Sequence, residues 1–152
     1  MEVLKHALNI IENLSWDRDT TGSVFWAPEG LEILVDSAQS YRENDMVLDS
    51  TLTILLIHLD HEYTTQRQHL HQANLQPDMD GYLKRRRVVK AMGNEIKKLR
   101  GILAVMERKL ERETRGKPPM TAARLRQLPH NSPLRALVVS VNKLRRIGEL
   151  LA

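Results

Sequence analysis

The chain contains no cysteine. That excludes a disulfide scaffold and any cysteine-ligated zinc or iron–sulfur centre. Aromatic residues are scarce: Trp16, Phe25, Trp26, Tyr41, Tyr63 and Tyr82 are the whole set, and none lies in 83–152. No apolar run approaches the ~18 residues of a membrane span. The sequence has no phosphate-binding glycine loop, no G-x-S-x-G elbow and no cysteine nucleophile. Its serines and histidines are scattered, without a nucleophile beside a base. No enzymatic activity, cofactor or small-molecule substrate is therefore expected. The start, MEVLKHALNIIENL, lacks a positive leader, an apolar block and a small-residue cleavage site. The expectation is an intracellular protein, cytoplasmic or nuclear. The glycosylation triplet Asn13-Leu14-Ser15 then carries no meaning.

What is present is 152 residues, one domain's worth, with 41% hydrophobic and 28% charged side chains. These proportions match an ordinary globular chain and exclude wholesale disorder. The charge is unevenly distributed. Residues 1–80 hold 4 Lys/Arg and 14 Asp/Glu, a net −10, whereas residues 81–152 hold 19 and 5, a net +14. Such asymmetry points to nucleic acid, an acidic partner or a membrane surface. The bland alternative is internal neutralisation, the acidic half packing on the basic half or on a neighbouring copy.

Hydrophobic spacing predicts an all-α fold. Leu4, Ala7 or Leu8, Ile11 and Leu14 line one face of a helix over 2–14. Pro28 suits a first helical turn, with Glu29 beside the positive end of its dipole; Leu31, Leu34, Val35, Ala38 and Tyr41 continue the stripe. Asp49 or Ser50 can cap a helix over about 50–74, whose start TLTILLIHL is almost wholly apolar. A buried strand would read the same over that length. Gln76–Gly81 is a break. A long helix over about 81–115 follows, with Val89, Met92, Ile96, Leu99, Leu103, Met106 and Leu110 stepping by 3 and 4. Such a seam serves either dimerisation, as a coiled coil, or core packing as an antiparallel hairpin with the helix over 50–74. Gly116–Pro119 ends it. A short helix over 121–128 and a last one capped by Ser132, with Pro133 first, complete the chain. The expected architecture is a single helical bundle over 1–152. It is built on a long antiparallel hairpin, with short N-terminal helices and a C-terminal amphipathic helix.

Four groups of residues are candidate sites. Asp17, Asp19, Thr21, Gly22 and Val24 fall on the register of a calcium loop, but its twelfth position is Pro28, not a carboxylate, and Glu29 comes one residue late. A capped polar loop is the simpler reading. His58, His61, Glu62 and His69 share one arc of the helix over 50–74, and His58 and Glu62 are four apart. No second His/Glu pair completes a metal site, so no metal is expected. The basic cluster Lys84, Arg85, Arg86, Arg87 and Lys90, continued by Lys97, Lys98 and Arg100, begins the long helix, where cations oppose the helix dipole. This makes a functional reason more plausible; the bland reading is solvated charge or pairing with the acidic half. Phosphate contact suits the cluster, and a duplex suits it better than a single strand, because stacking rings are missing from that half. Finally, Trp16, Phe25 and Trp26 either seal the bundle or anchor a protein partner. Leu137, Val141 and Leu144 on the last helix either dock on the bundle or face a partner helix.

These features support a non-enzymatic accessory protein that holds nucleic-acid backbone through basic helices and contacts protein elsewhere. The alternative is a protein–protein assembly module, a homo- or hetero-oligomer with no nucleic-acid role.

Overall fold

The structure, a computed structural model, describes residues 2–16, 28–60, 87 and 89–151. All regular structure among them is helical. The helices are α1 (Glu2–Ser15), α2 (Pro28–Ser40), α3 (Asp45–Leu59), α4 (Gly93–Thr114), α5 (Ala122–Gln127) and α6 (Pro133–Leu151).

Helix α3 is the hub. Val47, Leu48 and every residue from Thr51 to His58 are buried, so it is apolar all round, as a helix enclosed by neighbours must be. Helices α1, α2 and α6 pack against it, and α6 and α2 also pack against α4. One buried polar residue of α3 is satisfied by the helix itself. The Thr51 hydroxyl donates to the Val47 carbonyl at 2.7 Å, which satisfies it inside the core.

Two boundaries differ from the sequence expectation. Helix α3 begins at Asp45, five residues before the expected start. Asn44, in an extended conformation, accepts a hydrogen bond from the Val47 amide at 3.2 Å and caps it. An asparagine side chain satisfies an orphan amide as well as an aspartate does, so Asn44, and not Asp49 or Ser50, is the cap. The helix also stops at Leu59. Asp60 turns extended, its amide closing on the Leu56 carbonyl at 2.8 Å. The expected continuation lies in 61–86, outside the described residues. The long helix is likewise broken. Arg87 and Val89–Ala91 are helical, Met92 departs to ψ 27°, and α4 restarts at Gly93.

Among the described residues, the extensive contact expected between the long helix and the helix over 50–74 is not seen. Helix α4 rests chiefly on α6 and α2. Its seam is nevertheless internal: Met92, Leu99, Ile102 and Met106 are buried, with Val89, Ile96, Leu103 and Leu110 packed around them. Gly116, at φ 73°, ends this segment in the left-handed region that glycine enters without strain. The later caps match the sequence reading. Thr121 accepts from the Arg124 amide at 3.2 Å and Ser132 from the Arg135 amide at 3.4 Å.

Candidate functional site

Among the described residues, the basic half meets the acidic half through four ion pairs. Lys98 reaches Asp36 at 2.6 Å and Lys109 reaches Glu43 at 3.0 Å, tying α4 to α2 and the turn after it. Lys143 reaches Asp49 at 2.5 Å and the Thr53 hydroxyl at 2.9 Å, and Arg146 reaches Asp60 at 2.8 Å, tying α6 to α3 and its end. Part of the charge asymmetry is thus cancelled inside the molecule. The Asp36 carboxylate holds the Lys98 ammonium above its ordinary pKa, and the hydrogen bond from Lys109 holds Glu43 below its own. The Arg146–Asp60 pair is the most enclosed: the Asp60 side chain is 7% exposed.

Other cations of α4 face away from these pairs. Lys97, Arg100, Arg108 and Arg112 are exposed and have no carboxylate within ion-pair distance among the described residues. Arg115 is exposed and meets only Glu111, at 3.7 Å. At about 100° per residue, Lys97, Arg108, Arg112 and Arg115 share an arc of roughly 60°, with Arg100 at its flank. Arg87 and Lys90 are exposed on the helical turn before Met92. Glu107, the carboxylate that borders this face from α6's side, is engaged with Arg145 at 3.1 Å. The result is a cationic outer face on a helix whose inner face is core.

The sequence-derived site residues thus separate. Arg87, Lys90, Lys97 and Arg100 remain on the surface, as phosphate contact requires. Lys98 leaves that set: its ammonium is committed to Asp36. Lys84, Arg85 and Arg86 lie outside the described residues, as do Phe25 and Trp26. Trp16 is half-buried directly after α1 and is engaged within the fold.

Leu137, Val141 and Leu144 are not an open partner face. Val141 is 0% and Leu144 2% exposed, and Leu137 packs beside them. The stripe that was expected to meet a partner helix is covered by α3 and α4 of the same chain. His58 is 2% exposed and lies in the core on α3. His61, Glu62 and His69 lie outside the described residues, as does the loop over 17–27. No group of three or more His, Asp or Glu that could hold a metal occurs among the described residues. The seam between α4 and α6 leaves an apolar crease of about 30 Å³ beside Leu99, Leu144 and Ile147, room for one water and not for a cofactor. No helix among the described residues is long and apolar enough to cross a membrane.

Sequence reasoning missed one surface. On α1, Val3, Ile10 and Leu14 are 82%, 58% and 55% exposed, and Ile11 is also exposed. Leu8 is buried and Leu4 packs with the core. The apolar arc of α1 is wider than its contact with α3, and its outer part faces solvent. The 3-and-4 spacing of Val3, Ala7, Ile10 and Leu14 was the available signal; it runs beside the expected stripe of Leu4, Ala7 or Leu8, Ile11 and Leu14, of which Ile11 and Leu14 are exposed as well.

Comparison of the chain with protein-family models, with curated proteins and with solved structures gives no match.

Proposed function

We propose that this chain is a non-enzymatic accessory or scaffold protein that contacts nucleic-acid backbone through the outer face of α4, duplex in preference to single strand, in an intracellular setting. One observation carries the reading. Among the described residues, the ion pairs between the two halves use the inward cations Lys98, Lys109, Lys143 and Arg146 and leave Lys97, Arg100, Arg108 and Arg112 of the outward row without a carboxylate partner. A row of Lys and Arg with few carboxylates holds phosphates by charge and counterion release, without reading sequence. The basic run Lys84–Arg86 precedes that row in the chain.

Light-scattering chromatography with and without a short random duplex, at low and moderate salt, tests this. Co-migration that fades as salt rises supports it. Absence of co-migration at low salt overturns it.

A second reading is favoured by α1. Its exposed Val3, Ile10, Ile11 and Leu14 suit a protein contact, as an assembly module would need. Charge reversal separates the two. Lys97→Glu with Arg108→Glu abolishes duplex retention under the first reading, whereas Ile10→Glu changes oligomer size under the second.

A further inference from the structure

The cations on α4 fall into two groups with an uncharged interval between them. Lys97 and Arg100 form the first, with Lys90 on the preceding turn; Arg108, Arg112 and Arg115 form the second. On the outer face the interval carries Gly101, Ala104 and Val105, all exposed. A Cβ placed on Gly101 would meet nothing within 4 Å. No internal packing therefore requires a glycine there, although glycine in a helix interior costs about 1 kcal/mol relative to alanine. Arg100 and Arg108 are eight residues apart, about 12 Å along the helix axis. Arg108 donates from Nε to the Ala104 carbonyl at 3.2 Å, which lays its guanidinium back along the helix at the edge of the interval.

We infer that α4 lies across the major groove of B-form DNA, its two cation groups on the phosphate rows of opposite strands and the Gly101–Val105 interval over the groove. The inference rests on the nucleic-acid reading above and specifies it. The major groove is about 12 Å wide and the minor groove about 6 Å, so the gap between the groups fits the former. A single strand offers one phosphate row and bases that demand stacking rings, which this half of the chain lacks. Duplex RNA has a deep, narrow major groove. Its accessible minor groove is read through 2′-hydroxyls, and Gly101, Ala104 and Val105 have no side-chain donor or acceptor to offer them. For the same reason the interval reads no base edges, and binding is almost indifferent to DNA sequence.

The test uses the full chain and a duplex of about 20 base pairs in which successive phosphates are replaced by neutral methylphosphonates. A matched single strand and a matched RNA duplex run alongside. The expected result is weakening at positions on both strands that flank one major groove. Lys97→Ala with Arg100→Ala should erase the sensitivity of one strand, and Arg108→Ala with Arg112→Ala that of the other. Each pair should flatten the plot of log affinity against log salt by about 2. These positions are exposed, and an unchanged helical circular dichroism spectrum verifies that each variant folds. Sensitivity confined to one strand, or equal or tighter binding of the single strand or the RNA duplex, overturns the groove-spanning inference and leaves backbone contact standing. No binding of any of the three probes at low salt overturns both.

Discussion

Lys97 and Lys98 are adjacent in sequence and differ completely in situation. Lys98 closes on Asp36 at 2.6 Å and helps to join α4 to α2. Lys97 is exposed, with no carboxylate within ion-pair distance among the described residues. A single step of about 100° around the helix separates them. The same division runs along the element: Lys109 is paired with Glu43, whereas Arg108 and Arg112 face outward. Composition assigns all of these residues to one basic half. The fold divides them into cations that hold the molecule together and cations available to something else.

Helices α6 and α1 make a second comparison. Both carry apolar residues at 3-and-4 spacing. In α6 the stripe is enclosed, since Val138, Val141, Leu144, Ile147 and Leu151 are all buried between α3 and α4. In α1 only Leu8 among the apolar residues is fully buried, and among the described helices α3 is its one extensive neighbour. Amphipathic spacing states that a face will be covered if a neighbour exists, and the number of neighbours sets how much of it is.

The largest effect tests the contrast between α6 and α1. Val141→Asp places a charge in a fully enclosed site, and a loss of at least about 3 kcal/mol is expected in urea unfolding followed by circular dichroism. Ile10→Asp, at a position 58% exposed, should stay within about 0.5 kcal/mol. Equal losses would mean that the face of α1 is covered as well.

Next is Arg146→Ala. It removes the guanidinium that Asp60 faces at 2.8 Å and leaves a nearly buried carboxylate with less compensation. A loss of stability smaller than that of Val141→Asp is expected in the same assay. Asp60→Ala should cost less, since Arg146 stands half-exposed and water can serve it.

A smaller effect sharpens the comparison within α4. Lys98→Ala and Lys109→Ala break partly exposed pairs and should each lower stability only slightly. Lys97→Ala and Arg112→Ala should leave stability unchanged and weaken duplex retention. If all four variants behave alike in both measurements, the division between inward and outward cations has no consequence.

The smallest expected effect is a pH dependence at Glu43. The hydrogen bond and charge of Lys109 hold its carboxyl below the ordinary 4.5. A carboxyl depressed by folding contributes stability above its unfolded pKa, and that contribution is lost as pH falls through the folded value. The change therefore lies below about pH 4.5 and is slight, because the glutamate side chain is 71% exposed. A carbon-detected NMR titration should place the Glu43 midpoint below 4.5 and return it upward in Lys109→Ala.

Much of the local structure was legible in the sequence. Ser132 and Pro133 mark the start of α6, Thr121 caps α5, and Gly116 lies just past the end of α4, because caps and turns are decided by neighbours a few residues away. The apolar block from Thr51 to Ile57 announced the hub of the core. Asn44 shows the limit of such reading: in the chain it looks like an interruption, and its side chain is in fact the cap. Of the candidate site, Arg87, Lys90, Lys97 and Arg100 are exposed and Lys98 is paired with Asp36, a difference that the sequence pattern alone does not show.

The sequence by itself determined that this protein is helical, where most of its helices begin and end, and that its charge is divided between two halves. The tertiary structure alone decided which cations are neutralised and which apolar stripe is sheathed. The partners of Lys98, Lys109, Lys143 and Arg146 stand between 62 and 94 residues away in the chain. Spacing along one helix has a period, but it carries no record of which distant helix comes to lie beside it. Ion pairing and burial are set by that neighbour, and so is the cationic face left outside.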